Sequence, residues 1–501
     1  MTKGAIATPH RLASEAGAQV LREGGNAIDA VIAADAVLCV VYPHMTSVGG
    51  DLMAIVWPAG AAAPVGLIGA GRSGELASIG EMRSRGHDAM PLRGATTVTV
   101  PGTVEAWGRL LERFGTFGMG GVLEPAAAIA RDGYIITPNL SQALSQAAGW
   151  LGAERTAYAL YPPMEAGMLL RNADLATLLS ALGRGGINSF YRGDIAAAIV
   201  AAVEKRGGFL TARDMATHRS QWVDPVAFPY RDAVIYELPP PTQGLAAAAI
   251  LARLARLSTA ELEPGPDFVA PFQRARDAAY ALRDRYITDP DFATAPFEPF
   301  LDADHVAVGG GGVPDGGDTC YLCAADEHGN VVSMIQSVAY DFGSGVVAEG
   351  TGMLLQNRGT YFSLDASRVN RLEPKKRTMH TLIPAMASRA GRPWAAFGSM
   401  GGDGQPQLQS QVAINLIDHG LEPAEAVGRP RIRVAAGGQV LTVEADYPGA
   451  AQISRAGGDR VQLMPSRHYQ FGHAHVILVD GPTAWRGAAD PRSDGSIEYV
   501  N

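Results

Sequence analysis

The spacing of apolar residues predicts helices through most of the first three hundred positions. In residues 12–22 the apolar side chains recur at helical spacing, and a pair of glycines follows, which is a typical end for a helix. Asn26 is then expected to cap a second helix, with Asp29 in its first turn. This second helix runs to about Val40 and is apolar on almost every side, so we expect it to be buried.

A predicted β-hairpin opens the last, strand-rich third of the chain. Its strands, at residues 319–326 and 331–338, are separated by a turn at 327–330. The glycine-rich run at 308–318, directly before the hairpin, predicts a mobile and exposed linker. The remaining predicted helices lie at residues 103–113, 123–131, 173–182, 244–257, 409–418 and 423–427.

Composition narrows the class of protein. With 501 residues, 47% hydrophobic and 18% charged, the chain suits two domains or one large layered unit, not a disordered or coiled-coil protein. Its net charge of −9 argues against nucleic acid or an anionic membrane surface as the main partner. The N-terminus lacks the pattern of a signal peptide, and no apolar run is long enough to span a membrane, so we expect a cytoplasmic protein.

The cysteines and histidines predict no metal site. Cys39, Cys320 and Cys323 are an odd, sparse set, which is typical of a reducing cytoplasm. Cys320 and Cys323 have the spacing of a redox motif, but residues three apart on a strand point to opposite faces. We interpret them as core residues, and His473 and His475 as structural residues that lack a third ligand. No metal and no organic cofactor are expected.

Thr319 is the candidate nucleophile that the residues themselves suggest. It begins a predicted buried strand directly after the glycine run, whose backbone freedom would let its hydroxyl reach the carbonyl of Asp318. Attack there would move the acyl group from nitrogen to oxygen, and water would then cut the ester and leave Thr319 as a new N-terminus. A free α-amine has a pKa of about 7.7–8.0, so it can accept the hydroxyl proton at neutral pH. The alternative is that the glycines form only a linker.

Short motifs along nearly the whole chain occur in the same order as in a known family. These motifs are Gly24–Ala30, Pro101–Val104, Ala130–Gly133, Pro240–Gly244, Asp318-Thr319, Gly329–Ser333, Phe342–Gly345, Lys376-Arg377, Gly401-Gly402 and Asp490–Arg492. On these residues the chain resembles the gamma-glutamyltranspeptidase family of N-terminal-nucleophile hydrolases. The resemblance implies an enzyme, a hydrolase or acyltransferase made as a zymogen. It also implies an α+β fold, a four-layer αββα sandwich built from two autocleaved subunits.

The resemblance further implies roles for single residues. Thr319 matches the processing site and nucleophile, so residues 1–318 would form a helix-rich large subunit and residues 319–501 a strand-rich small subunit. Ser337 matches a second hydroxyl residue that hydrogen-bonds the oxygen of the nucleophile. Gly401-Gly402 matches the glycine pair whose backbone N–H groups form the oxyanion hole.

Several positions that bind the glutamyl group in this family are altered here. Tyr361 stands where the family has an aspartate for the glutamyl amine, and His380 and Thr381 replace a pair of serines. Arg358 adds a cation, which would hold a substrate carboxylate in a bidentate fork or, alternatively, form a surface or intersubunit salt bridge. Asn357 matches a polar residue of the substrate pocket. The segments Asn357–Gly359 and Gly472–His475 resemble the non-glutathione branch of the family, which has oxamate amidohydrolase-like and acylase-like members.

Three functions therefore stay open at this point. The first is an autoprocessing N-terminal threonine amidohydrolase that cleaves an amide of a carboxylate-bearing substrate through an acyl-enzyme. The second is a true gamma-glutamyltransferase or glutathione hydrolase. The third is an unprocessed, inactive homologue that acts as a binding module. For an enzyme, the expected partners are a small-molecule amide and the other cleaved subunit, with a dimer of such heterodimers also open.

Overall fold

Two antiparallel β-sheets form the centre of the fold. A computed structural model describes residues 3–305 and 317–501. The strands of this part of the chain are β1 (Gly4–Thr8), β2 (Asp51–Trp57), β3 (Val65–Gly69), β4 (Tyr134–Ile135), β5 (Leu169–Leu170), β6 (Gln221–Val223), β7 (Val226–Tyr230), β8 (Ala233–Glu237), β9 (Asp318–Asp326), β10 (Val331–Ala339), β11 (Val347–Ala348), β12 (Met353–Leu354), β13 (Ala385–Arg389), β14 (Arg392–Ser399), β15 (Ile432–Val434), β16 (Leu441–Glu444), β17 (Val461–Met464), β18 (Ala474–Gly481), β19 (Ala484–Ala489) and β20 (Ser496–Val500).

Helices cover the outer faces of the sheets. They are α1 (Arg11–Arg22), α2 (Ala27–Val41), α3 (Ile79–Ser84), α4 (Thr103–Phe114), α5 (Met119–Asp132), α6 (Pro138–Leu151), α7 (Arg155–Leu160), α8 (Ala173–Arg192), α9 (Asp194–Glu204), α10 (Ala212–Thr217), α11 (Gly244–Leu254), α12 (Pro266–Tyr286), α13 (Glu298–Leu301), α14 (Gln405–Ile417), α15 (Pro423–Gly428) and α16 (Ala450–Gly457).

Both large sheets combine strands from before and after residue 318. The first has the order β20-β1-β9-β10-β2-β3-β6, and the second has the order β19-β18-β14-β13-β8-β7. Neighbouring strands in both sheets run antiparallel. Since neither part of the chain builds a large sheet alone, the predicted division at residue 318 would separate two chains within one fold. That division stays a prediction.

Strand β9 shows how the layers are arranged. Cys320 and Leu322 belong to the core under the helices, whereas Tyr321 and Cys323 pack between the two sheets. This alternation is the period of a strand with both faces buried. The two cysteines are therefore free, buried and on opposite faces, as predicted.

The helices complete a four-layer αββα sandwich. Residues of α1, α2, α4, α5 and α8 pack on the outer face of the seven-stranded sheet. Residues of α11, α12 and α14 pack on the outer face of the six-stranded sheet. A third core lies between the sheets. This arrangement confirms the predicted fold class.

The local predictions hold best where a cap defines the element. Asn26 and Asp29 form a capping box at the start of α2, and every residue of α2 is buried. The predicted helix at 173–182 was too short, because α8 continues past a kink at Gly186 to Arg192. Helices α6, α9 and α12 were not predicted.

The predicted linker lies outside the described residues except for Gly317 and Asp318. No described helix is long and apolar enough to cross a membrane, and the cytoplasmic location stays a prediction.

Candidate active site

Thr319 lies at the start of β9, in the middle of the seven-stranded sheet. Its side chain is buried, with 1% of the residue exposed. The hydroxyl oxygen accepts a hydrogen bond from Nε2 of Gln405, at 3.3 Å. Gln405 begins α14 and was not identified from the sequence, although it follows the Gly401-Gly402 motif by three residues.

Ser337 contacts the peptide bond in front of Thr319. The β9–β10 ladder is regular up to Gln336, shifts register, and resumes with Ala339 opposite Asp318. Within this irregularity the hydroxyl of Ser337 donates to the carbonyl oxygen of Asp318 at 2.7 Å and accepts from the amide of Ala339 at 2.7 Å. In the uncut chain Ser337 thus contacts the carbonyl that Thr319 would attack, whereas the sequence analysis predicted a contact with the Thr319 oxygen.

The Gly401-Gly402 pair lies beside Gly317, the residue before Asp318. The φ angles of these glycines are +141° and +52°, and a Cβ on Gly401 would lie 2.5 Å from Leu408 Cδ1, so glycine is needed there. A Cβ on Gly317 would lie 3.0 Å from Gly402 Cα. Nε2 of Gln243 holds the turn by donating to the carbonyl of Gly402 at 3.0 Å. The pair is thus fixed next to the predicted cleavage site.

Arg358 is fully buried, so a surface salt bridge for this residue is wrong, whereas a salt bridge between the two predicted subunits stays open. Only 1% of it is exposed, and its Nη1 donates to Oγ1 of Thr381 at 2.9 Å. Its Nε forms an ion pair with Oδ2 of Asp51 at 3.7 Å, which is too long for a hydrogen bond. Nη2 has no hydrogen-bond partner among the described residues. Burial lowers the pKa of Arg358, and the nearby Tyr361 and Asp51 oppose that shift. A buried guanidinium with an unused donor is suited to binding an anion.

Tyr361 connects Arg358 to the cleavage site. The guanidinium carbon of Arg358 lies 5.4 Å from the centre of the Tyr361 ring, which also stacks on Tyr340 at 5.6 Å. A Cβ on Gly317 would lie 3.1 Å from the Tyr361 hydroxyl. The structure therefore places Tyr361 beside the chain segment just before Thr319, and Arg358 lies against the Tyr361 ring.

Asp51 lies beside Arg358 and contacts two further residues of the site. Its Oδ2 lies 3.2 Å from Nε2 of His380, and its Oδ1 accepts from the amide of Gly71 at 3.2 Å. Burial lowers the pKa of His380 to about 4. Because Nδ1 of His380 accepts from the amide of Leu382, the ring is neutral with its proton on Nε2, directed at Asp51. Sequence analysis missed Asp51, although it directly follows the Gly49-Gly50 pair.

Asn357 has a structural position. Its side-chain oxygen accepts from the amide of Tyr340 at 3.0 Å, and its nitrogen donates to the carbonyl of Leu92 at 2.6 Å. Both ends of the carboxamide are thus used by the backbone. The predicted role in the substrate pocket is not what this geometry favours; Asn357 fixes the loop that carries Arg358.

Comparison with known proteins assigns the family. A sequence model of the family described as Gamma-glutamyltranspeptidase matches residues 13–500. The chain belongs to the gamma-glutamyltranspeptidase family. It is 35% identical to the glutathione hydrolase-like YwrD proenzyme of Bacillus subtilis and 34% identical to the oxamate amidohydrolase proenzyme of Klebsiella pneumoniae; each alignment covers 99% of this chain and 98% of the relative. The crystal structure of cephalosporin acylase from Bacillus halodurans superposes with a TM-score of 0.90 at 33% identity, covering 99% of this chain and 96% of that one.

Family membership makes this chain an enzyme of the hydrolase and acyltransferase class. The resemblance drawn from the sequence motifs is confirmed, including its similarity to amidohydrolase-like and acylase-like members. The matched residues extend across the candidate site, from Asp51 to Gln405. The roles of the individual site residues in this chain stay predictions.

A cavity adjoins Asp318, the residue before the candidate nucleophile. It has a volume of about 590 Å³, and its wall includes Asp318, Gly401 and Arg433. Burial and the carboxylate of Asp341 raise the pKa of Asp318 to about 7, while Arg93 and Arg433 oppose that shift.

The two late histidines are both buried, and their structural role stays a prediction. His473 lies in the wall of this cavity, and His475 is buried in β18. Burial lowers the pKa of His473 to about 4 and that of His475 to about 3, so both are neutral near pH 7. The described residues contain no group of three side chains suited to holding a metal ion.

Proposed function

We propose that this enzyme cuts its own chain between Asp318 and Thr319 and then hydrolyses amides whose acyl group carries a carboxylate. Residues 1–318 and 319–501 would be the two subunits, held together because their strands interleave in both large sheets. Thr319 would be the nucleophile, Ser337 its hydroxyl partner, and Gly401-Gly402 the oxyanion hole. The named proenzymes among its relatives support this scheme.

In self-cleavage, the Thr319 oxygen would attack the carbonyl carbon of Asp318. A new C–O bond forms, the C–N bond breaks, and the hydroxyl proton ends on the Thr319 nitrogen. The hydroxyl of Ser337, already 2.7 Å from the carbonyl oxygen, supports the negative charge that develops there. Water then hydrolyses the ester, which releases the Asp318 carboxylate and restores the Thr319 hydroxyl.

Substrate hydrolysis would repeat this chemistry with a free amine as the base. The α-amine of Thr319 accepts the hydroxyl proton while the oxygen attacks the substrate amide. The leaving amine departs with that proton, and the acyl group stays on Thr319 as an ester. Water hydrolyses the ester to release the acid. The backbone N–H groups of Gly401 and Gly402 would bind the oxyanion in both steps.

The buried Arg358 is the observation that carries the choice of substrate. Its unused Nη2 could pair with a carboxylate, whereas a glutamyl ammonium would meet a like charge. The nearest anion, Asp51, already accepts from Gly71 and contacts His380, so it offers little to an ammonium group. We therefore favour acyl groups that carry a carboxylate and no α-amine.

A second candidate is a γ-glutamyl hydrolase, which the 35% identity to a glutathione hydrolase-like protein favours. Glutaryl and γ-glutamyl p-nitroanilides separate the two, because they differ only in the α-ammonium group. We expect kcat/KM to be at least about tenfold higher for the glutaryl compound, as one unfavourable charge contact costs more than 1 kcal/mol. The reverse order would favour the second candidate. No turnover of either by cleaved protein would contradict the assignment to carboxylate-bearing amides, and a chain that is never cut would favour a binding module.

A further inference from the structure

Gln405 makes a direct contact with the atom that would react. Its Nε2 donates to Oγ1 of Thr319 at 3.3 Å, and the residue is completely buried. Its Oε1 accepts from the amide of Ile383 at 3.3 Å. Because a backbone N–H can only donate, the oxygen of the carboxamide must face Ile383 and the NH₂ group must face Thr319. The direction of the contact is therefore set by the fold.

The backbone that carries Gln405 is held on several sides. Gln405 directly follows the Gly401–Gly404 turn and begins α14. The carboxylate of Asp403 in this turn pairs with the buried Arg283, and the hydroxyl of Tyr280 donates to the Asp403 carbonyl. One rigid turn thus positions both the predicted oxyanion hole and the donor to Thr319.

The N-terminus of α14 strengthens the same effect. Helix α14 has thirteen residues, from Gln405 to Ile417, and the side chain of its first residue contacts Thr319. The partial positive charge of a helix N-terminus stabilises negative charge nearby. A negative charge on the Thr319 oxygen would therefore be favoured by the helix and by the side chain of its first residue.

We propose that Gln405 is a catalytic residue that donates a hydrogen bond to the Thr319 oxygen during self-cleavage and during substrate turnover. This inference rests on the proposed function of Thr319. The carboxamide occupies a lone pair of the oxygen, so the hydroxyl proton is directed away from Gln405. As that proton leaves, the oxygen gains negative charge and the hydrogen bond becomes stronger. When the acyl-enzyme is hydrolysed, the same donor stabilises the oxygen as it leaves the acyl carbon.

Ser337 and Gln405 would then donate hydrogen bonds to two different oxygen atoms of the same reaction. Ser337 donates to the carbonyl oxygen of Asp318, which becomes the oxyanion in self-cleavage. Gln405 donates to the oxygen that attacks. The two donors lie on different elements, β10 and α14, so their effects can be separated by substitution.

Self-cleavage of the full-length chain tests the proposal without a known substrate. Gln405→Met keeps the length of the side chain and removes the donor. We expect this substitution to slow self-cleavage by at least about tenfold at every pH. Removing a single hydrogen-bond donor from an active site can lower the rate by about 100-fold. Gln405→Glu should be equally slow near pH 8, where an ionised carboxyl cannot donate, and should recover to near the wild-type rate near pH 5.5, where a buried carboxyl is protonated.

The control is Gln411→Glu, which places a carboxyl on the same helix, where Gln411 donates to the Ile432 carbonyl. Its pH profile should match that of the wild type, with folding of each variant checked by circular dichroism at both pH values. A Gln405→Met chain that cuts itself within about threefold of the wild-type rate would overturn the proposal. So would a Gln405→Glu chain that stays as slow as the Met variant near pH 5.5. If the wild-type chain itself is never cut at Thr319, the proposed function fails instead.

Discussion

The hydroxyl of Ser337 offers a sharp test of the self-cleavage chemistry. It donates to the carbonyl oxygen of Asp318 and accepts from the amide of Ala339, both at 2.7 Å. Ser337→Ala removes the donor and leaves the buried amide of Ala339 without this partner. We expect slower self-cleavage, because the carbonyl oxygen becomes an oxyanion while Thr319 attacks.

The expected size of this effect follows from the contact being present before the reaction starts. Only the gain in strength between the neutral carbonyl and the oxyanion affects the rate. A hydrogen bond contributes about 1 kcal/mol between neutral groups and about 1.5–3 kcal/mol to a charged group, so the barrier should rise by about 0.5–2 kcal/mol. This corresponds to a rate loss of about 2- to 30-fold. The unpaired amide should also lower the free energy of unfolding by about 1–3 kcal/mol.

The assay follows the disappearance of the full-length band on denaturing gels over time. Ser337→Thr keeps a hydroxyl at the position and should cut faster than Ser337→Ala. Ser333→Ala is the matched control: Ser333 lies four residues earlier on β10, is buried, and pairs with the hydroxyl of Tyr321 at 2.8 Å. Its rate should equal that of the wild type. A Ser337→Ala chain that is cut at the wild-type rate or faster would refute the role given to this contact.

Two other predictions concern charge in the interior. Arg358→Gln should raise KM for glutaryl p-nitroanilide by at least about tenfold, because a charge-assisted hydrogen bond contributes about 1.5–3 kcal/mol; an equal rise for the uncharged butyryl p-nitroanilide would contradict a carboxylate site. Asp35 is completely buried in α2, and burial raises its pKa from 3.8 to about 8. Between pH 3.8 and about 8 the unfolded chain has released the Asp35 proton, whereas the folded state keeps it. The free energy of unfolding therefore falls by about 1.4 kcal/mol for each pH unit in this range. Asp35→Asn should raise Tm near pH 7.5 by more than near pH 4.5; equal gains at both pH values would contradict this assignment.

The sequence predicted the fold where local pattern and burial agree. The capping box of α2, the β9–β10 hairpin and the opposed cysteines of β9 all follow from short-range periodicity and appear as expected. Helices such as α12 were missed because the pattern was interrupted, in this case by Pro271. The αββα layering was predicted from the family resemblance, because no local sequence pattern indicates which sheet a strand will join.

The candidate site was predictable only in part. Sequence motifs identify Thr319 and the Gly401-Gly402 pair, and the structure places the pair beside Gly317, two residues before Thr319. Asp51 and Gln405 act through contacts with residues far away in the chain, so spacing could not reveal them. The burial of Arg358 could not be predicted either, because a charged residue in a loop is usually exposed.

The most direct test of the central claim is the intact mass of both chains in freshly purified, active protein. We predict two species, one of which begins at Thr319 with a free α-amine. Thr319→Ala should give a single full-length species without activity. An active wild-type protein that contains only the full-length chain, or a small chain that starts at another residue, would contradict the account.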